Sequence, residues 1–268
     1  MVKIWFITGA SKGFGREWAE AALERGDMVA ATARNLGTLD TLVERYGNAV
    51  LPLQLDVTDR SAAFETVKRA ADHFGKLDVV INNAGYGHFG MVEELSEDDI
   101  RAQMETNFFG TLWVTQAALP IMRKQHSGHI IQITSGGGIM AFPGIGAYHA
   151  SKWAVEGLSQ SLSQEVEQFG IHITCVEPAA YSTDWLAVGA RLSEENPDYQ
   201  IVREGIAYGW QVGNPRATRT AILKVVDADQ PPLRIFFGNL LELVTHEYEQ
   251  RLATWNEWQS VSLEAHGA

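Results

Sequence analysis

Tyr148 and Lys152 stand four residues apart in Tyr148-His149-Ala150-Ser151-Lys152, and Ser135 precedes the tyrosine by thirteen residues. On a helix, positions i and i+4 share a face, so the Lys152 ammonium can lie beside the Tyr148 phenol. A neighbouring cation favours the phenolate and lowers a tyrosine pKa from its usual value of about 10. Tyr148 then becomes a usable general acid or base, and Ser135 can hydrogen-bond the same reacting oxygen. Alone, Y-x-x-x-K also describes an ordinary aromatic–lysine helix pair. Its meaning depends on what surrounds it.

A second constellation opens the chain. Thr8-Gly9-Ala10-Ser11-Lys12-Gly13-Phe14-Gly15 follows a short apolar run and leads into Arg16-Glu17-Trp18-Ala19. Glycines there permit a tight turn and close backbone approach to a pyrophosphate, and the helix N-terminus supplies free N–H donors. The spacing is G-x-x-x-G-x-G rather than G-x-G-x-x-G, so strand–turn–helix context must carry the assignment. About 20 residues beyond such glycines a carboxylate usually holds an adenine ribose 2′-hydroxyl. Here that place reads Ala33-Arg34-Asn35. The Arg34 guanidinium suits a 2′-phosphate, with Lys12 as a second cation, so NADP(H) is the expected cofactor; the alternative is an ordinary surface arginine. Asp56, followed by Val57, either accepts from an adenine amine or caps the helix beginning near Asp59 or Ser61. Asn82-Asn83-Ala84-Gly85 is small and flexible enough to pack against a cofactor.

These residues need strands to end beside them. Lys3–Thr8, Met28–Ala33, Val50–Leu55, Leu77–Asn82, His129–Thr134, Ile171–Val176 and Leu233–Phe237 read as strands. Helical patterns fill the gaps at about 15–25, 36–46, 61–74, 98–123, 148–169, 216–226 and 240–258. The strands are continuously apolar, as expected of a parallel sheet covered on both faces, so the fold class is α/β, doubly wound and seven-stranded. Ligands of such sheets sit beyond the carboxyl ends of the strands, where every residue named above falls.

Composition agrees. The 268 residues are 46% hydrophobic and 20% charged, enough for a substantial core in one domain spanning 1–268. A net charge of −12 disfavours nucleic acid and anionic lipid as partners. Cys175 is the only cysteine and lies in an apolar run, so no internal disulfide is possible and a structural role is expected. The apolar N-terminal run to Ile7 is too short for a signal peptide, and Gly, Pro, Ser and Thr interrupt the uncharged stretch from Gln125 to Ser151. A cytoplasmic protein without a membrane span is the expectation. The eight histidines show no metal-ligand spacing, so no metal site is expected.

Taken in order, Thr8-Gly9, Gly13, Gly15, Asp56, Asn82-Asn83-Ala84-Gly85, Asn107, Ser135, Tyr148 and Lys152 resemble the single-domain branch of the short-chain dehydrogenase/reductase family, over roughly residues 3–184. The resemblance implies a Rossmann-type fold and a dimer or tetramer. It also implies that Asn107 completes a proton relay through water and Lys152, and that Lys152 binds the nicotinamide ribose. Where the family has Pro-Gly after the sixth strand, this chain has Pro178-Ala179; Thr183 is the candidate contact for the cofactor amide. Pro231–Gly238 also resembles members acting on bulky hydrophobic alcohols.

The expected chemistry is reversible hydride transfer between NADP(H) and a carbonyl or secondary alcohol, a ketoreductase with Tyr148 as acid or base. Pocket walls are expected from Gly136–Ile145, Tyr86–Phe89 and a substrate segment over about 181–214, including Trp185, Tyr199, Tyr208 and Trp210, with a mobile lid at Glu194–Asp198. Such walls suit a medium to large hydrophobic small molecule. The rival is a catalytically silent NADP(H)-binding regulator or scaffold; it would normally lose part of the catalytic set, which is complete here.

Overall fold

The structure is a computed structural model, and it describes residues 2–183, 190–206 and 211–267. Its main sheet holds β1 (Ile4–Ile7), β2 (Met28–Ala33), β3 (Val50–Gln54), β4 (Val79–Asn82), β6 (Gly128–Ile133), β7 (Ile171–Pro178) and β9 (Arg234–Phe237). The order is β3-β2-β1-β4-β6-β7-β9, and every pairing is parallel. Expected and observed strand ends agree to within two residues. Because the chain runs outward from β1 in one direction and then returns to pair β4 on its other side, the order reverses between β1 and β4. In doubly wound sheets that reversal opens a crevice beyond the strand ends.

The apolar runs are continuous because each strand feeds two cores. Trp5 and Ile7 of β1 point to one face with Trp18, Val29 and Ile222, whereas Ile4 and Phe6 point to the other with Val67, Val114 and Leu162. The first face is covered by α1 (Gly13–Glu24) and the helix Thr218–Asp227, joined by a hydrogen bond from Trp18 Nε1 to Thr218 Oγ1 of 2.8 Å. The second is covered by α3 (Arg60–Phe74), α5 (Gly110–Gln125) and α6 (Gly146–Val166). Cys175 is fully buried, as its strand flanks imply.

Two helices depart from the expected form. The 36–46 segment is a 3-10 turn, Leu36–Leu39, followed by a short α-helix, Asp40–Tyr46. The long helix expected over 98–123 is α4 (Glu97–Met104) and α5 separated by a π-helical turn, Glu105–Phe109. At the start of α5, a Cβ on Gly110 would lie 2.6 Å from Val57 Cγ2, so the glycine lets this helix approach the β3 end. Two-residue strands β5 (His88–Phe89) and β8 (Arg191–Leu192) pair in a separate small sheet, and helices Gln200–Gly205 and Gln259–His266 add to the periphery. Two residues are too few to show a period, so sequence pattern misses the small sheet. Among the described residues no helix is long and apolar enough to cross a membrane; Gln125–Ser151 is divided among β6, a glycine turn and the start of α6.

Candidate active site

The glycine cradle forms at the end of β1, and β4 braces it. Thr8 Oγ1 accepts from the backbone N–H groups of Asn83 and Ala84, each at 2.9 Å, while Asn83 Nδ2 donates to the carbonyls of Thr8 (2.9 Å) and Gly9 (3.1 Å). Gly15 closes the turn. A Cβ there would lie 2.4 Å from Gly9 O and 2.6 Å from Asn83 Nδ2, so no larger residue fits without moving backbone. Gly9 and Gly13 take φ of 65° and 56°, the left-handed region that glycine enters without strain. Lys12 sits at the N-cap of α1, half-buried Ser11 precedes it, and Phe14 stacks on Trp18 at 5.1 Å. The adenine side is open: Arg34 and Asp56 are both exposed at the ends of their strands.

On the other side of the reversal, β6 delivers Ser135 and α6 delivers Tyr148 and Lys152. Tyr148 and Lys152 are 8% and 6% exposed, and the Tyr148 phenol is hydrogen-bonded to Ser135. The Lys152 Nζ lies 5.8 Å from the centre of the tyrosine ring and donates to Ile133 O at 2.7 Å. Burial pushes the Tyr148 phenol up to about 12 against the opposing Ser135 hydrogen bond, and burial brings Lys152 down to about 8 against the pull of Glu156. Expecting the Lys152 charge to hold the tyrosine pKa low is therefore corrected: desolvation dominates, and the phenol keeps its proton at neutral pH.

Asn107 lies in the π-helical turn, 1% exposed. Its side chain accepts from Tyr86 N (3.1 Å) and donates to Tyr86 O and Ser151 Oγ, each at 3.0 Å. This clamps the strand-end segment after Asn83 and Ala84 to α6. A Cβ on Gly85 would stand 3.1 Å from Asn107 Oδ1 and 3.6 Å from Lys152 Nζ, so Gly85 is the spacer on which those two side chains converge.

The cradle and the Ser135, Tyr148, Lys152 group line one cleft of about 370 Å³. Lys12, Gly13, Phe14, Asn83, Gly85, Pro178 and Thr183 share its walls with Ser135, Tyr148 and Lys152. A nicotinamide dinucleotide fits this set: phosphate-cradling glycines, a cation and a tyrosine–lysine pair lie along one groove.

The short chain dehydrogenase family model matches residues 3–191. The chain belongs to the short-chain dehydrogenase/reductase family. It is 42% identical to "Oxidoreductase BOA17" of Botryotinia fuckeliana, covering 98% of this chain and 99% of that one, and 36% identical to a 3-ketodihydrosphingosine reductase of Bacteroides thetaiotaomicron, covering 90% of each. Among solved structures, a short-chain dehydrogenase from Streptomyces avermitilis aligns over 98% of both chains with TM-score 0.92 and 38% identity. An alcohol dehydrogenase from Thermococcus sibiricus complexed with 5-hydroxy-NADP aligns with TM-score 0.75 and 25% identity over 88% of this chain and 96% of that one. A family member from Burkholderia phymatum in complex with NAD shares the fold with TM-score 0.82 and 24% identity, over 94% and 95%. The family thus includes structures with either dinucleotide.

Within this family site, several expectations change. Asp56 does not cap α3; its Oδ1 accepts from Thr58 N (3.0 Å) and Thr58 Oγ1 (2.8 Å), while Asp59 caps the helix by accepting from Ala62 N (2.9 Å). Ala179 carries no left-handed strain, since His126 is the only non-glycine with positive φ among the described residues; the positive φ lies opposite, at Gly238 with φ 106°, where glycine adopts it freely. Gly136, Met140, Phe142 and Ile145 line the cleft as expected, but Tyr86–Phe89 do not; Ala179–Tyr181, Gln211, Asn239, Leu240 and Leu243 do. No sequence signal near the catalytic motif marks Leu240, which arrives from beyond β9. Tyr199 faces away, bonding Glu93 Oε2 at 2.6 Å. Trp185, Tyr208 and Trp210 lie outside the described residues. The expected lid at Glu194–Asp198 is tied down: the backbone N–H of Asn196 donates to Glu94 Oε1 (2.8 Å), and Arg203 bonds both Glu94 and Asn196 O (2.9 Å). The Arg203 guanidinium holds the Glu94 carboxyl down at about 2. Among the described residues no cluster could ligate a metal.

Proposed function

We propose that this oxidoreductase interconverts a carbonyl and a secondary alcohol on a medium to large hydrophobic substrate, using NADP(H). The observation that carries the reading is the Ser135–Tyr148 hydrogen bond beside Lys152, in the same cleft as the glycine cradle. The bound nicotinamide would supply or accept the hydride. In the reductive direction Tyr148 is the acid: burial keeps the phenol protonated, so it can give its proton to the substrate oxygen as negative charge develops there. Ser135 hydrogen-bonds the same oxygen and stabilises that charge. Lys152 would hold the ribose hydroxyls, and its charge stabilises the phenolate left on Tyr148 once the proton has been given. Asn107 positions the Tyr86 backbone and Ser151 around this group.

Gly9, Ser11, Lys12, Gly13, Phe14 and Gly15 would hold the pyrophosphate end, with Val57 on the adenosine side, Asn83, Ala84 and Gly85 packed against the dinucleotide, and Pro178 and Thr183 at the amide. The Arg34 guanidinium is exposed and has no side-chain partner among the described residues, as suits a group reserved for a 2′-phosphate. Asp56, exposed beside it at the neighbouring strand end, is the adenine contact. The apolar wall of Met140, Phe142, Leu240 and Leu243 supports a hydrophobic substrate, as does kinship with an enzyme named as a 3-keto reductase. We further infer a single domain acting in the cytoplasm as a homodimer or homotetramer.

The test is titration of the purified protein with NADPH and NADH, then nicotinamide absorbance against a panel of bulky ketones. NADPH binding tighter than NADH, with the preference lost in Arg34→Ala, and oxidation of NADPH by a bulky ketone are expected. Equal affinity for both dinucleotides, or binding with no turnover across the panel, would overturn the corresponding half of the reading.

A further inference from the structure

His149 follows the catalytic tyrosine on α6, is 4% exposed, and sends its ring away from the helix toward the turn after Ser135. Nδ1 lies 2.8 Å from the carbonyl oxygen of Gly137, and Nε2 lies 3.2 Å from the backbone nitrogen of Phe142. A carbonyl only accepts and an amide N–H only donates, so the proton is on Nδ1 and Nε2 is bare. One neutral tautomer is dictated by two backbone groups. The Phe142 ring stands edge-on to the imidazole at 4.5 Å and 85°. Burial lowers the His149 pKa from its usual value, in keeping with a neutral ring.

Gly137 links this ring to the chemistry. Its N–H donates to Ser135 Oγ at 3.0 Å, and its carbonyl accepts from His149 Nδ1–H. A Cβ on Gly137 would stand 2.6 Å from His149 Nδ1, so the imidazole fills the space a side chain would need. With one acceptor position of Ser135 taken by Gly137, the serine keeps its O–H donor and one further acceptor position for Tyr148 and the substrate oxygen. Phe142, the residue held by Nε2, lines the cleft.

We propose that His149 is a positioning residue: through Gly137 it orients the Ser135 hydroxyl, and through Phe142 it sets one wall of the substrate cleft. This rests on the carbonyl-reductase reading for its effect on rate, but the tautomer follows from geometry alone. The experiment combines the two on the full-length protein. Nitrogen-15 NMR of the histidines, with His149 assigned by its loss in His149→Asn, should show a protonated Nδ1 and a bare Nε2 at neutral pH. Steady-state kinetics with NADPH and tetralone should show His149→Phe, which keeps ring bulk but neither hydrogen bond, losing about tenfold in kcat, with KM for tetralone raised and NADPH affinity unchanged. His149→Asn, which keeps a donor and an acceptor, should recover part of the loss. In a Ser135→Ala background the same His149→Phe change should cost little further in kcat, because its path to the serine is already cut, while the rise in KM through Phe142 remains.

A bare Nδ1, wild-type kcat and KM in His149→Phe, or an undiminished kcat loss in the Ser135→Ala background would each overturn the proposal. Absence of any wild-type ketone turnover would instead fell the reductase reading, and the tautomer would still decide whether His149 clamps the turn. Should His149→Phe fail to fold, His149→Asn decides the rate question: unchanged kcat and KM there with an inverted wild-type tautomer overturns the clamp, and a partial loss with the expected tautomer upholds it.

Discussion

At the residue scale, the site is governed by burial more than by paired charge. Removing the Tyr148 hydroxyl should cost turnover without disturbing the cradle: Tyr148→Phe is expected to bind NADPH normally and to lose at least about two orders of magnitude in kcat with any ketone the wild type reduces. Turnover within a few-fold of wild type would remove Tyr148 from the mechanism. Lys152 gives the pH dependence. Its pKa is lowered by burial from 10.5 to about 8, so the charged form prevails below that value and is lost above it. The kcat/KM for carbonyl reduction, which reports the free enzyme, should therefore be flat near neutrality and fall as pH rises through about 8. The stability sign is opposite. Burying the cation costs free energy that is relieved between about 8 and 10.5, so this group alone makes unfolding harder as pH rises across that window.

At the element scale, one contact shapes the cradle and another ties down a peripheral segment. Gly15 lets α1 begin against the carbonyl of Gly9, and a methyl at 2.4 Å from that oxygen cannot be absorbed by a side-chain rotation. Gly15→Ala should lower thermal stability and weaken NADPH binding together, measured by melting with and without dinucleotide; retention of both would mean the turn relaxes easily. The second contact is the strap over 190–206. It reaches the main body through β5–β8 and through Glu94, whose side chain is 2% exposed and accepts from Met91 N (2.7 Å), Asn196 N and Arg203. With a pKa of about 2, Glu94 stays ionised throughout any assay range, so the anchor itself adds no pH dependence there. Glu94→Gln keeps an acceptor but loses the charge-assisted bond, and should raise KM for a bulky ketone several-fold with little change in kcat. An unchanged KM would show that the strap does not shape substrate access.

At the scale of the whole molecule, the cleft is closed by a residue far from the motif. Leu240 packs on Gly136, where a Cβ would meet Leu240 Cδ1 at 2.8 Å, and joins Met140 and Val244 in a small core of its own. Leu240→Ala should enlarge the cleft and shift preference toward bulkier ketones, read as the ratio of kcat/KM values between a large and a small substrate. An unaltered ratio would place the substrate elsewhere. Stability should drop by about 2 kcal/mol or more, as for other large-to-small core changes.

How much of this is legible in the chain follows from where each signal lives. The strands, the cradle and the Ser135, Tyr148, Lys152 set are local: apolar runs covered on both faces, glycines where a turn needs them, and side chains one helical turn apart are properties of a few consecutive residues. The sequence by itself determined the doubly wound sheet and set the glycine turn and the Ser135, Tyr148, Lys152 set beyond its strand ends, whereas the strand order and the place where it reverses came from the fold. Other features depend on what a residue meets across the fold. The Tyr148 pKa is set by desolvation that no spacing encodes, and Asp56 and Asp59 are equivalent caps until the backbone selects one. Tyr86–Phe89 turn from the cleft while Leu240 enters it, and His149 becomes a clamp only once Gly137 lies against it. Those were decided by tertiary structure alone, because burial and long-range contact depend on segments the chain brings together only on folding.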